Sequence, residues 1–277
     1  MTIDLYCVMG HPIEHSRSPW IHARFAELTG QPLNYGKRLV PLDGFVSAVH
    51  AFIEEGGKGC NITVPFKFEA AALATHTSER ALLAQACNVL TFKDGAILAD
   101  NSDGIGLVND IQRNAGLDLR GRRVLLIGAG GASAGVLGPL LQTQPANITV
   151  ANRTLAKASA LVARHAALAG QHQVELLATD LPTLKGDFDV VVNATASSLN
   201  GGGVPVSAST LKPGALAYDM MYGPAAAGFL AWAQEHGALA RDGLGMLVEQ
   251  ATEAFLIWRG VLPPSKQVLD ELRAMMA

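Results

Sequence analysis

The chain has 277 residues, 49% hydrophobic and 16% charged, with 21 basic and 24 acidic residues and a formal net charge of −3. That length suits about two domains, and the composition excludes a disordered chain. No basic run is present, which argues against a nucleic-acid or anionic-membrane surface and leaves small molecules as the expected partners.

Residues 3–9 are predicted to form a strand stopped by Gly10, followed by the loop HPIEHSRSP. Ser18-Pro19 reads as a helix start, with the hydroxyl as cap and proline in the first turn. Ile21, Phe25 and Leu28 then repeat at helical spacing up to Gly30. A second helix is expected from Asp43, with Val46, Val49 and Ile53 on one face and Gly56-Gly57 at its end. Residues 60–64 form the next predicted strand, so the pattern is strand–helix–strand and implies a parallel sheet. Short helices are expected near residues 68–74 and 78–85. Residues 88–93 and 96–100 flank Asp94-Gly95, a hairpin signal.

A helix over about 104–114 closes at Gly116 and bridges the expected domain boundary. After Gly121 a second series begins, with strands at 123–127, 147–151, 174–177, 189–193 and 215–219. Its helices fall near 131–141, 155–169 and 225–236, and two more occupy 244–259 and 264–275. Residues 124–152 carry no charge and are long enough to mimic a membrane span. Glycines 128, 130, 131, 135 and 138 and Pro139 punctuate that run, so a buried strand, turn and helix explain it better. Cys7, Cys60 and Cys87 are widely spaced without a C-x-x-C pair, and the 8 histidines form no H-E-x-x-H. A reducing, cytoplasmic compartment and no metal are expected. The start MTIDLYCVMG lacks the basic segment of a signal peptide.

VLLIGAGGAS at residues 124–133 runs from a strand through glycines into a helix. Gly128 permits a tight turn, and Gly130 lets backbone amides approach a pyrophosphate at the positive end of a helix dipole. Ser133 stands where the strict fingerprint has glycine. In NAD-binding folds an acid about twenty residues on binds the ribose 2′-hydroxyl. Here that strand is ITVANRT, which has no acid, and Asn152, Arg153, Thr154 and Lys157 cluster at its end. A 2′-phosphate carries roughly two negative charges and favours guanidinium and hydroxyl donors. The pattern therefore points to NADP over NAD, against plainer readings of Arg153 as a solvated side chain and Thr154 as a helix cap.

Ser16-Arg17-Ser18-Pro19, Thr63 to Lys67, and Asp100-Asn101-Ser102-Asp103-Gly104 each follow a predicted strand. Ligands of open parallel sheets bind at such carboxyl ends. Spacing alone leaves the alternatives open: Ser18 and Asp103 as helix caps, and Lys67 as a surface lysine.

SRSP, NITVPFK, ACN at 86–88, DNSDG, GAGGAS, ANRT, YDMMY at 218–222 and GLGMLVEQA at 243–251 run nearly the length of the chain. In that order they resemble the shikimate dehydrogenase family. The resemblance implies an NADP-dependent, biosynthetic oxidoreductase that reduces 3-dehydroshikimate to shikimate in aromatic amino-acid synthesis. It implies an α/β fold in two parts. Residues 1–103 and 243–277 would bind substrate on a parallel-dominated sheet, with the C-terminal helices returning to it. Residues 104–242 would form a Rossmann domain, with the active site in the cleft. Ser16 and Ser18 would hold the substrate carboxylate, and Thr63, Asn88 and Gln250 would bond the carboxylate or ring oxygens. Tyr222 would close the site near the nicotinamide, and Lys67 and Asp103 would be the catalytic pair. On the cofactor side stand Gly128, Ala129, Gly130, Gly131, Ala132, Asn152, Arg153, Thr154 and Lys157, joined by Glu79, Met220 and Gly243. The expected assembly is a monomer or homodimer.

Val89 replaces the usual threonine after the motif asparagine, and Asn193-Ala194-Thr195-Ala196-Ser197-Ser198 departs from N-A-T-[SP]-x-G. Alternatives are an NAD-using quinate/shikimate dehydrogenase, a paralogue with another substrate, and a non-catalytic dinucleotide sensor.

Overall fold

The computed structural model describes residues 3–195 and 203–276. The chain divides into two compact units, one of residues 1–106 and 247–277, the other of residues 107–246.

Among the described residues the first unit holds a six-stranded sheet of order β2-β1-β3-β5-β6-β4. Its strands are β1 (Asp4–Gly10), β2 (Leu33–Leu39), β3 (Gly57–Ile62), β4 (His76–Thr77), β5 (Val89–Lys93) and β6 (Ala96–Asp100). The β1/β2, β1/β3 and β4/β6 pairs are parallel, whereas the β5–β6 hairpin is antiparallel to β3. Helices α1 (Ser18–Thr29), α2 (Phe45–Glu54), α3 (Lys67–Leu73) and α4 (Glu79–Ala84) accompany the strands, and α9 (Leu244–Arg259) and α10 (Ser265–Met276) close the chain. One core layer packs Met9, Phe45, Val49, Phe52, Ile62, Phe66 and Leu90. Burying each such side chain contributes about 1.5–3 kcal/mol. Aromatic packing includes His22 stacked on Tyr35 at 4.2 Å and Tyr6 on Trp258 at 4.7 Å.

The second unit is an all-parallel sheet of order β12-β11-β10-β7-β8-β9. The strands are β7 (Arg123–Ile127), β8 (Asn147–Asn152), β9 (Glu175–Asp180), β10 (Phe188–Asn193), β11 (Leu211–Asp219) and β12 (Leu239–Arg241). Helices α5 (Asp103–Asn109), α6 (Gly131–Gln142), α7 (Leu155–Gln171) and α8 (Ala227–Glu235) accompany these strands. The reversal of order at β7 gives the doubly wound arrangement that binds dinucleotides at the strand carboxyl ends. The uncharged stretch is β7, α6 and β8, a buried core segment, and no helix among the described residues is long and apolar enough to cross a membrane.

Several expectations need correction. The β2, β4 and β12 strands lacked a signal: β4 and β12 are very short, and Gly36-Lys37-Arg38 interrupts the exposed edge strand β2. β3 ends two residues early because the chain turns at Thr63, whose carbonyl accepts from Phe66 N–H at 3.1 Å. α2 starts at Phe45 behind Gly44 rather than at Asp43. The helix of 104–114 is α5 followed by a π-helical turn, Asp110–Asn114. β9 and β11 run longer than expected. Ser18 does not cap α1: Arg17 holds the cap position, with no side-chain cap bond. Thr154 sits at the cap of α7, but its hydroxyl makes no cap bond either.

Candidate active site

At the carboxyl ends of β1, β3 and β6 the first unit gathers side chains from distant parts of the sequence. Phe66 is fully buried beneath the turn after β3 and stacks on Phe45 at 5.0 Å. Phe68, by contrast, is 53% exposed. Lys67 between them opens α3, and its Nζ lies 2.5 Å from Asp103 Oδ2. The lysine side chain is 18% exposed and that of the aspartate 8%, so this ion pair is largely removed from water. In such surroundings a charge pair gains strength and specific geometry.

Asp103 is held from behind. Its backbone N–H donates to Asn101 Oδ1 at 3.0 Å, and its Oδ1 accepts from Asn88 Nδ2 at 2.7 Å. Asn88 Oδ1 in turn accepts the Ser102 N–H at 2.8 Å. Asn88 Nδ2 also approaches Ser102 Oγ at 3.1 Å and Gln250 Oε1 at 3.2 Å. Gln250 reaches this point from α9 and donates from Nε2 to Leu247 O at 3.0 Å. Asn88, Ser102 and Asp103 are all buried, which explains why so many of their polar atoms are paired.

The structure thus brings together Lys67, Asp103, Asn88 and Gln250. Ser16 accepts through Oγ from Ser18 N–H at 3.3 Å, and Ser18 is buried in the first turn of α1. Thr63 lies half-buried at the end of β3, its N–H donating to Met9 O at 3.0 Å. Glu79 opens α4, exposed. Asp103, expected as a possible cap, spends its carboxylate on Lys67 and Asn88. Sequence reasoning missed Asn61, Asn101 and Ser102 as supports. It also missed Arg80, which grips Asp100 at 2.6 and 2.8 Å and Glu253 at 2.9 Å. The polar runs DNSD and CN were a signal for some of these, but Arg80–Glu253 spans 173 positions and left none.

In the second unit β7 leads into Gly128, whose φ of +109° suits glycine. A Cβ there would stand 3.2 Å from Ala194 O, Ser133 Oγ and Thr195 Cγ2. Gly130 caps α6 without a side chain, and a Cβ on it would meet no protein atom within 4 Å. The first amides of α6, at Gly131, Ala132 and Ser133, are therefore not covered by a capping side chain. Ser133 Oγ is buried beneath them with no partner among the described residues. This cradle fits a dinucleotide pyrophosphate. β8 ends at Asn152, whose Nδ2 donates to Thr154 O at 2.9 Å, while Arg153, Thr154 and Lys157 are exposed. The residues fit a 2′-phosphate, with no acid where a 2′-hydroxyl would want one.

Met220 N–H donates to Asn193 O at 3.0 Å. Gly243 N–H donates to Met221 O at 2.8 Å, and a Cβ on Gly243 would collide with the Met220 carbonyl. Tyr222 is half-buried before the turn Gly223–Ala226. Asn193 and Asp219 tie the ends of β10 and β11 at 3.2 Å. Of the loop NATASS, residues 196–198 and the following 201–202 lie outside the described residues. Asp110, fully buried, accepts from Arg241 at 2.6 and 2.7 Å, from Tyr218 OH at 2.8 Å and from Asn114 at 2.9 Å. Burial and this carboxylate push the Tyr218 phenol well above its ordinary value. A Cβ on Gly245 would strike the Asp110 carboxylate, so the second glycine of GLGM is required by packing.

A chain with a doubly wound nucleotide sheet and a buried lysine–carboxylate pair has the parts of a dinucleotide-dependent oxidoreductase. Comparison with known proteins makes this specific. Family models match at residues 8–90 (shikimate dehydrogenase substrate binding domain), 110–200 (shikimate / quinate 5-dehydrogenase) and 243–273 (shikimate 5′-dehydrogenase C-terminal domain). A shikimate dehydrogenase (NADP(+)) of Acidovorax sp. (strain JS42) is 68% identical over 274 residues, covering 99% of this chain and 97% of that protein. The protein of the same name in Verminephrobacter eiseniae (strain EF01-2) is 62% identical, covering 100% and 96%. Among solved structures, an Ael1 enzyme from Pseudomonas putida matches with a TM-score of 0.88 at 48% identity, covering 97% and 98%. The shikimate 5-dehydrogenase of Thermus thermophilus, in complex with NADP(H) and shikimate, matches with a TM-score of 0.85 at 27% identity, covering 98% and 99%. The chain belongs to the shikimate dehydrogenase family, oxidoreductases that act on a CH–OH group.

Proposed function

We propose that the protein catalyses the reversible, NADPH-dependent reduction of 3-dehydroshikimate to shikimate, a step of aromatic amino-acid synthesis, in the cytoplasm. The observation that carries the reading is the Lys67–Asp103 pair backed by Asn88 and Gln250. The cofactor supplies the hydride when bound, and its pyrophosphate would rest on Gly128, Ala129, Gly130, Gly131 and Ala132. Arg153, Thr154 and Lys157 supply donors for a 2′-phosphate, with Asn152 shaping the turn. Glu79, Met220 and Gly243 complete the cofactor-side assignment.

Reduction of the 3-keto carbon leaves negative charge on its oxygen, which must be stabilised or protonated. Lys67 Nζ is the proton donor in reduction and the acceptor in oxidation. Asp103 holds that ammonium and accepts from a substrate hydroxyl. Ser16 and Ser18 hold the carboxylate as neutral donors, weakly enough for release, while Thr63, Asn88, Gln250 and Tyr222 orient the ring. Substrate binding is assigned to residues 1–103 and 243–277 and cofactor binding to residues 104–242. The working assembly is a monomer or homodimer.

Initial rates with shikimate or quinate, each with NADP or NAD, test the reading. Shikimate with NADP should exceed the other pairs by orders of magnitude. Preference for quinate or NAD would replace this function with the catabolic alternative, and no turnover with any pair would leave a paralogue with another substrate or a non-catalytic dinucleotide sensor.

A further inference from the structure

The proposed function uses Thr63 and Lys67 of NITVPFK and leaves Asn61 unexplained. Asn61 is 5% exposed, inside β3, where an apolar side chain would fill the space at lower desolvation cost. An amide belongs there only for the bonds it makes. Its Oδ1 accepts from Tyr35 OH at 2.6 Å, and its Nδ2 donates to the Asn88 carbonyl at 3.1 Å. Asn88 lies just before β5, where the β3/β5 ladder ends. Its carbonyl otherwise receives the Ile62 N–H at 2.9 Å. The Asn88 side chain then holds Asp103 Oδ1 at 2.7 Å, and Asp103 Oδ2 holds Lys67 Nζ at 2.5 Å.

We propose that Asn61 is a positioning residue for the reaction: it pins the main chain at Asn88, so that the Asn88 amide aims Asp103 at Lys67. This rests on Lys67–Asp103 as the reacting pair. Asn61 acts through Asn88 and does not itself touch substrate. The links from Asn88 to Asp103 and on to Lys67 are short, 2.7 and 2.5 Å, so a shift of the Asn88 backbone passes to the carboxylate. A misplacement of about 1 Å can cost roughly 10²-fold in rate.

Two substitutions test it. Asn61→Leu keeps the branched shape, with somewhat more bulk, and removes both bonds. Asn61→Asp restores them only when protonated: one oxygen then accepts from Tyr35 OH and the carboxyl proton is donated to the Asn88 carbonyl. Ionised, the aspartate would set a charge against that carbonyl oxygen, and the titratable groups beside it, His22 and Tyr35, are held neutral by burial across the range tested. Burial raises a carboxyl from about 3.9 by up to about 3–5 pH units, which brings its titration to roughly pH 7–9. With shikimate and NADP saturating, Asn61→Leu should lower kcat roughly 10- to 10²-fold with KM for NADP unchanged. The kcat ratio of Asn61→Asp to wild type should climb as pH falls through that window. A merely structural asparagine would reduce the yield of folded protein, leaving kcat per folded site and the pH ratio flat. Wild-type kcat in Asn61→Leu, or a flat ratio in Asn61→Asp, overturns the proposal. A raised KM for shikimate with intact kcat also overturns it, making Asn61 a substrate ligand. If Asn61→Leu does not fold, Asn61→Asp decides. An inactive wild type overturns the proposed function and this inference together, whereas an active wild type indifferent to Asn61 overturns this inference alone.

Discussion

Lys67→Ala separates chemistry from binding. The lysine Nζ is 2.5 Å from Asp103 Oδ2, and its side chain is only 18% exposed. Truncation removes the proposed proton carrier and, with it, the cation paired with Asp103. A positioned acid or base is worth about 10²–10⁴ in rate, and each factor of ten is about 1.36 kcal/mol, so the barrier should rise by about 2.7–5.4 kcal/mol. Water can reach the partly open lysine position, which places the expectation nearer the lower end. Asp103 keeps its bonds to Asn88 and Asn101, so the contact proposed between it and a substrate hydroxyl should survive. The loss should therefore fall on kcat, with KM for shikimate little changed. The assay is initial-rate NADPH formation over a matrix of shikimate and NADP concentrations, with circular dichroism to confirm folding. Turnover within tenfold of wild type would refute the role of Lys67. Asp103→Asn with intact turnover would assign Asp103 to orienting substrate alone.

Other expectations address cofactor choice and stability. Arg153→Ala should raise KM for NADPH far more than for NADH, and equal effects would remove Arg153 from the 2′-phosphate site. Asp110→Ala strands Arg241, whose side chain is 19% exposed, and should cost roughly 3–5 kcal/mol. Thermal unfolding should then show a midpoint about 6–20 °C lower, and a negligible shift would refute the reading of this buried cluster. His22 is fully buried and stacked on Tyr35, and burial pushes its pKa from 6.5 to about 3, opposed only in part by the neighbouring Asn61 amide. The unfolded chain therefore takes up the proton first: this contribution is whole above pH 6.5 and is lost as pH falls toward about 3. Its slope is at most about 1.4 kcal/mol per pH unit. His22→Phe should flatten that acid limb in urea titrations, and an unchanged limb would show that other groups govern it. The Arg24–Glu271 pair, at 2.7 and 2.9 Å, holds the Glu271 carboxyl down at about 2. The stability difference between wild type and Glu271→Gln should persist above pH 4.5 and vanish as pH falls toward 2.

The second unit was largely legible before the structure. Buried parallel strands are continuous apolar runs, and the steric need for glycine at Gly128 is local, so the β7–α6 turn showed in ten residues. The β8 end, Asn152-Arg153-Thr154, could be read the same way. The first unit was harder. β2 carries lysine and arginine because it is an edge, and its alternation is too weak to register. The caps failed for a physical reason as well: a serine before proline suits a cap, but Ser18 is already inside the helix and buried.

Sequence by itself determined the α/β class, the order of most elements and the chemistry-bearing residue types, because these depend on short-range periodicity, glycine sterics and charge. It also marked residues 60–64 of NITVPFK as a strand, with Lys67 just beyond it. Tertiary structure decided what those residues meet. Lys67, Asp103, Asn88 and Gln250 join in one chain of hydrogen bonds from positions up to 183 residues apart, and Asn61 turns inward to hold Asn88. Hydrogen bonds among buried side chains depend on distances set by packing, and no local pattern in the chain encodes those distances.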